Sequence, residues 1–579
     1  MTFPTANSDE LKEFGTPGSA AAFLGNFHKT LPHDQFGEVD RDAYRDFVRT
    51  CQDIAAGVRT SFERVRPGSL APPFAPAADP GATAAVARFT SPLAGAAAEG
   101  WGPDPAAMEM PPAPGINSVS SAAEMVELYW MALLRDKPLH DFATDPDVAT
   151  AVAEVGSSFQ AALNQDRARG GLRLVEDLPA SASGLDLRQE TLFRCGLHDE
   201  DLGPLVSQFF LRDIPYGVQT ISSKQTPYVR EKDFLTSRDD WLRAQNTGKD
   251  RWGRDYGACN NYADQLDPAR GEIYYASSPR YISTLRDLAR FVNRDALHQA
   301  YFNAALFLDA INTPLDDGNP YKGVRKSREG GFATLGGPDL LTVVSEVSSR
   351  ALKAVWRQKW LVHRRARPEV YGGMIEMQEV GLSGSKRFYG LQRLAIDSVA
   401  AQRVRLQHGT NFLPMAFSAG SPPHPAYGAG HATVAGACVT VLKAWYDEDA
   451  RLEPLLAQAA GASRRREPVV IDGLLQPGAH LGGENFAAPA PYTGADGGQI
   501  TVGGELNKLA ANVAMGRSMG GVHWRSDNTR SLRLGERVAM EILRKRTLEY
   551  AERPLSFTFR SFDGVFITIS EGQIDPPPT

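Results

Sequence analysis

The sequence predicts a mainly α-helical protein: helical bundles with long loops and a small C-terminal β-hairpin. Three observations carry this. Six segments repeat apolar residues at spacings of three and four, the helical period. Alternation with period two is confined to LSFTFRSFDGVFITIS near the C-terminus. A hydrophobic content of 42% over 579 residues is ample for a buried core.

In chain order, the N-terminal third is rich in Ala, Pro and Gly, above all from residue 66 to 115, where the prolines exclude long helices. An ordered surface wrap or a linker is expected there. Helical patterning starts at residues 121–134 and returns at 283–309, 338–365, 393–407, 431–446 and 505–519. In the segment after Pro338, Leu341, Val344, Val347, Ala351 and Val355 form one stripe, a core-facing surface. Near the end, Asp563-Gly564 supplies the turn of the hairpin. No internal repeat is visible.

Composition excludes several classes. With 62 Lys+Arg against 68 Asp+Glu the net charge is -6, which argues against a coat for nucleic acid or anionic membrane. The first 25 residues lack a basic stretch followed by a continuous apolar one, and no run of eighteen apolar residues occurs. The expectation is a soluble, cytoplasmic protein without membrane or nucleic-acid partners. Cys51, Cys195, Cys259 and Cys438 are scattered without a C-x-x-C pair, so buried free thiols are expected rather than a zinc site or disulfide framework.

Three pieces of the C-terminal half look chemical. In KWLVHRRARP, Lys359 and Arg367 stand about two helical turns apart, and Pro368 biases Arg367 out of the helix. A solvated basic stripe is the alternative. In HPAYGAGHATVAGA, Gly428, Ala429 and Gly430 clear bulk from in front of His431, where a helix begins. Unpaired N–H groups at a helix start seat an anion, small residues let a tetrahedral oxyanion approach, and a histidine beside it can exchange a proton. A turn glycine before a core histidine competes with this reading. In GRSMGGVHWRSD, Gly520-Gly521 breaks the helix between Arg517 and His523. A new helix after the glycines puts Asp527 one turn beyond His523, where its carboxylate can fix the imidazole tautomer. Together the pieces hold three cations, one helix N-terminus and two histidines, a set suited to a tetrahedral oxyanion such as phosphate or vanadate.

These three pieces, in this order, resemble the signatures of the vanadium-dependent haloperoxidases and the related PAP2-type acid phosphatases, most closely the bromoperoxidase branch. NFHKTLPHDQFGEV, RYISTLRDLARFVNRDALHQAYFNAALFLDAINTPLDDGNPY and TVGGELNKLAANVAMGR also read like that branch. The resemblance implies the helical-bundle fold of that superfamily, with His523 as the nitrogen ligand of vanadium and Lys359, Arg367, Arg517 and the Gly430 N–H around the oxygens of vanadate. It implies His431 as the acid/base for peroxide, Lys359 as the group that polarises the bound peroxide, and Asp527 behind His523. His424 falls where bromide-oxidising relatives carry histidine. The implied activity oxidises bromide, and by extension chloride or iodide, with hydrogen peroxide, and halogenates a small organic acceptor.

One departure stands out: the family pattern Pro-Ser-Gly-His is here Gly428-Ala429-Gly430-His431. Ala429 lacks the serine hydroxyl, and a hydrogen bond to a charged partner is worth about 1.5–3 kcal/mol. A phosphohydrolase with His523 as nucleophile and a metal-free, non-catalytic homologue are the competing functions. The resemblance also implies a homo-oligomer, a dimer or an assembly of dimers, and a structural calcium whose ligands the sequence does not place. The expected division is residues 1–280, helical and Pro/Gly-rich, forming subunit contacts and a pocket wall, and residues 281–579, the bundle carrying the site, the two making one structural unit.

Overall fold

The computed structural model describes residues 23–68, 86–100, 102–166, 170–257, 279–323, 328–459, 469–471 and 489–578. Helices dominate them. The first half contributes α1 (Arg41–Ala55), α2 (Val119–Leu133), α3 (Pro146–Gln165) and α4 (Arg238–Thr247). The second half contributes α5 (Leu285–Arg294), α6 (Gln299–Ala310), α7 (Gly337–Arg357), α8 (Pro368–Glu379), α9 (Arg393–Ile396), α10 (Val399–His408), α11 (Gly430–Trp445), α12 (Leu452–Ala459), α13 (Val502–Met519) and α14 (Arg525–Glu549). Between residues 66 and 115 the described parts hold only 3-10 turns, Pro92–Ala96 and Pro105–Ala107, as the prolines require.

The centre of the bundle is α11, buried along nearly all its length and packed against α7, α13 and α14. Its crossing with α14 depends on two glycines: a Cβ on Gly436 would stand 2.0 Å from Leu532 O, and one on Gly535 2.0 Å from Thr433 O. Val344, Val347, Ala351 and Val355 of the α7 stripe are buried, and the contiguous apolar core runs from Phe23 to Ile569.

Three expected helices are interrupted, each for a local reason. The 283–309 segment breaks where Asp295 turns extended (φ -65°, ψ 150°) and ends α5. The 338–365 segment leaves α-geometry after Arg357, continues as a π-helical turn over Gln358–His363, and stops at Arg364 in the left-handed region (φ 48°). The 393–407 segment divides at Ser398, whose hydroxyl caps α10 by accepting from Ala401 N at 3.0 Å.

Strands are short and few among the described residues. In chain order they begin with β1 (Ala180–Ser181), β2 (Gly184–Leu185), β3 (Ile214–Tyr216), β4 (Gln219–Ile221), β5 (Val469–Ile471) and β6 (Pro489–Pro491). The expected C-terminal hairpin gains a third strand: the sheet is β7 (Ser556–Arg560), β8 (Phe566–Ser570) and β9 (Gln573–Asp575), all antiparallel. Its Phe557, Phe559, Ile567 and Ile569 are turned to the core. Cys51, Cys195 and Cys438 are buried; Cys259 lies outside the described residues. Among the described residues no helix is long and apolar enough to cross a membrane.

Candidate active site

Each signature piece sits where a helix ends or begins. The π-helical turn after α7 carries Lys359, wholly buried, with Nζ donating to Pro425 O at 2.8 Å and Ala426 O at 3.1 Å. Beyond it the chain is tied to the N-terminal segment: Phe27 N donates to Arg364 O at 2.6 Å, and Ala366 N to Gly25 O at 2.8 Å. Arg367 is extended (φ -76°, ψ 155°) before Pro368 opens α8. Lys359 and Arg367 therefore do not lie along one helical segment, as the spacing suggests; the turn between them re-aims the chain.

The second piece is a buried loop ending at α11. Gly428 is needed by close approach, since a Cβ there would stand 2.2 Å from Ser531 Oγ. Ala429 N donates to that same hydroxyl at 2.8 Å, and Ala429 caps α11 without a side-chain hydrogen bond. Gly430 opens the helix, where its N–H has no intrahelical acceptor. In the third piece, α13 ends at Met519, Gly521 takes a positive φ (83°), and α14 starts at Arg525. Asp527, in its first turn, accepts from Trp524 N at 3.0 Å.

The pieces converge. Arg367 Nη1 donates to Val522 O at 2.6 Å and faces His523 Nε2 at 2.9 Å, while Nη2 faces His424 Nδ1 at 2.9 Å. Arg517 Nη1 donates to Val292 O at 2.7 Å, and its Nε has no hydrogen-bond partner among the described residues. Arg367 and Arg517 are 1% and 3% exposed, so neither charge is relieved by solvent. Among the described residues Lys359, Arg367 and Arg517 meet carbonyls and imidazoles and no carboxylate. Burial, and then Arg367, holds the Lys359 ammonium well below its usual pKa. Burial, and then Arg517, pushes Arg367 down to about 9.

His523 faces the other way onto a balanced network. Its Nδ1 donates to Asp527 Oδ2 at 3.0 Å, so Nε2 carries the lone pair. Asp527 Oδ1 accepts from Arg365 Nη1 at 2.8 Å, and Arg365 Nη2 donates to Glu124 Oε2 of α2 at 2.8 Å. Burial and the surrounding cations, Arg367 foremost, keep His523 well below the usual imidazole pKa.

His424, Gly430, His431, Arg517 and His523 line a cavity of about 770 Å³, and Lys359, Arg367 and Ala429 are not on its wall. Two partners of this group give no signal in the sequence. Asp295, at the end of α5, sets Oδ1 2.9 Å from His431 Nε2, although 136 positions separate them. Trp356 lays its ring over His424, centroids 5.1 Å apart, with Lys359 Nζ 5.6 Å from the same ring. Burial lowers the His431 pKa, with Asp295 opposing. Among the described residues no group of three or more His, Cys, Asp and Glu side chains is placed to hold a metal ion.

Fold and site thus define a class: an α-helical bundle with a buried, cation-rich pocket that presents one imidazole lone pair. A family model described as the VCPO second helical-bundle domain matches residues 340–550. A vanadium-dependent bromoperoxidase of Corallina officinalis is 31% identical, the alignment covering 97% of this chain and 94% of that one. One from Ascophyllum nodosum is 31% identical over 94% of this chain and 86% of its own. In structure, the chain is similar to the homohexameric second vanadate-dependent bromoperoxidase (AnII) of Ascophyllum nodosum, with a TM-score of 0.76, 26% identity, and coverage of 98% of this chain and 87% of that one. The chain belongs to the vanadium-dependent bromoperoxidase family.

Proposed function

We propose that this chain is a vanadate-dependent haloperoxidase: it uses hydrogen peroxide to oxidise bromide to a hypobromite-level species that halogenates organic acceptors. The observation that carries this is the set of three buried cations with no carboxylate among their partners in the described residues, gathered near His523 Nε2 and the start of α11. A buried charge without a counter-ion is costly, and an oxyanion guest removes that cost. The residues fit vanadate: Lys359, Arg367 and Arg517 would balance its charge, the Gly430 N–H would donate to it, and His523 Nε2 would bind the metal.

Bound vanadate supplies a Lewis acid that activates peroxide without changing its own oxidation state. The chain supplies the rest. Asp527 keeps the His523 proton on Nδ1, and Arg367 yields Nε2 to the guest. His431, its Nε2–H held by Asp295, would serve as the acid/base for peroxide, with Nδ1 free to take and return its proton. The lowered pKa of His431 keeps the ring neutral and able to act as a base near neutral pH. Lys359 would supply positive charge to polarise the peroxide toward bromide, and His424 with Trp356 would form the wall beside it.

The test is bromination of monochlorodimedone, a cyclic diketone, by purified protein with orthovanadate, peroxide and bromide. Equilibrium dialysis of vanadate against wild type and His523→Ala accompanies it. Turnover and a saturable site lost in the variant are expected. Hydrolysis of an aryl phosphate without bromination would instead favour a phosphohydrolase with His523 as nucleophile, and no saturable site would favour a non-catalytic homologue. The chain is also proposed to work as a homo-oligomer, supported by the homohexameric relative; light scattering giving the mass of a single chain would overturn this.

A further inference from the structure

The cavity exceeds what halide oxidation needs. Its volume is about 770 Å³. A four-oxygen ion takes on the order of 120 Å³, at about 30 Å³ for each water-sized oxygen, and small organic ligands occupy cavities of about 300–1,000 Å³. Around the histidines the wall of this cavity is partly apolar. Leu297, Leu352, Pro422 and Pro423 are apolar, and the half-buried Trp356 is fixed there by Nε1 donating to Thr90 O at 3.2 Å. Three charged side chains join them: Lys249, Asp255 and Arg88. Burial lowers the Lys249 pKa, and the Asp255 carboxylate beside it opposes that shift. The exposed Arg88, by contrast, forms no ion pair among the described residues.

We propose that this part of the cavity binds the organic acceptor, and that the acceptor class is a phenol carrying a carboxylate, its ring against the Leu297, Leu352 and Pro422-Pro423 wall and its acid group on Arg88. The assignment rests on the haloperoxidase reading above. An apolar wall takes a flat ring out of water, and a guanidinium offers a carboxylate two parallel donors. Bromide gives two electrons to peroxide; the ring carbon then takes bromine from hypobromous acid, the Br–O bond breaks, and the ring proton leaves with the released hydroxide as water. An acceptor held in the same cavity meets the oxidised halogen before it escapes to solvent, so halogenation becomes saturable in the acceptor.

The probes are 4-hydroxyphenylacetate and its uncharged amide, 4-hydroxyphenylacetamide, brominated by the vanadate-loaded full chain at fixed peroxide and bromide. Binding of each is also read without peroxide, by saturation-transfer NMR. In the wild type the acid should have a KM about tenfold below the amide, the scale of one charge-assisted pair. Arg88→Gln should bring the two values together, and Arg88→Glu should reverse their order, in KM and in NMR binding alike. Monochlorodimedone bromination in the same samples separates the acceptor site from the activity it depends on. Without it the haloperoxidase reading fails and takes this inference with it. With it, acid and amide reacting in the ratio that free hypobromite gives in buffer, unchanged by Arg88→Gln, overturn the acceptor site alone.

Discussion

Arg365 and Arg367 stand two positions apart and meet opposite surroundings. Arg365 lies between two carboxylates, Asp527 and Glu124, each at 2.8 Å. Behind the site the same rule holds for Arg525 with Glu127 and Arg530 with Asp177, all buried. Arg367, Lys359 and Arg517 face the site and have carbonyls and imidazoles instead. Buried ions are ordinarily paired, and breaking a pair is costly because it strands the partner. The rear layer is therefore framework, complete in itself, and the front layer is a charge set without a carboxylate among the described residues, as the proposed oxyanion site requires.

Substitutions separate the layers by what each one costs. The largest effect is expected for Arg525→Met, which leaves Glu127 buried without its cation: about 3–5 kcal/mol of unfolding stability, read from denaturant melts. A loss as small as that of a surface change would erase the distinction. Next, Arg517→Met should weaken vanadate binding about ten- to a hundredfold, the worth of a charge-assisted hydrogen bond. The free protein should stay as stable as before or gain stability, since an uncompensated charge is removed. Destabilisation on the scale of Arg525→Met would place Arg517 in the framework. Ala429→Ser restores a hydroxyl at the cap of α11 and should tighten vanadate about tenfold, with on the order of 1 kcal/mol added by the helix cap; weaker binding in dialysis would show that the hydroxyl is not missed. The smallest effect is that of orthophosphate: at three times its Kd it should stabilise the wild type by about 0.8 kcal/mol. Arg517→Met should lose most of that thermal shift, and an equal shift in both would remove the oxyanion from the front layer.

Much of this is legible in the sequence because it is local. The helical period marks α2, α7, α11 and α13, and Gly520-Gly521 announces the break between Arg517 and His523. In the sequence α1 does not stand out, although Tyr44, Phe47, Val48, Cys51 and Ile54 make a stripe there, because it lies in the Pro/Gly-rich third, whereas α14 with its many arginines gives no clear stripe. What escapes is non-local. Asp295 sits in an unremarkable FVNRDALHQ run, and only the folded path of α5 carries it to His431. Similarly, Glu124 is one acid in an apolar segment, and its role appears when α2 is buried behind α14, where Ser526 N donates to it at 2.6 Å. The turn after Arg357 is unreadable for another reason: KWLVHR has ordinary helical composition, and its departure is imposed by the strand-like tie to Gly25 and Phe27.

The 2.9 Å contact between Arg367 Nη1 and His523 Nε2 bears on which guests are refused. A lone pair already engaged by a guanidinium, within a ring of positive charge, is a poor seat for zinc or copper, which imidazoles otherwise capture readily. Mismetallation is thus resisted by repulsion, and the nitrogen is released when an arriving species brings negative charge of its own to draw the arginine aside.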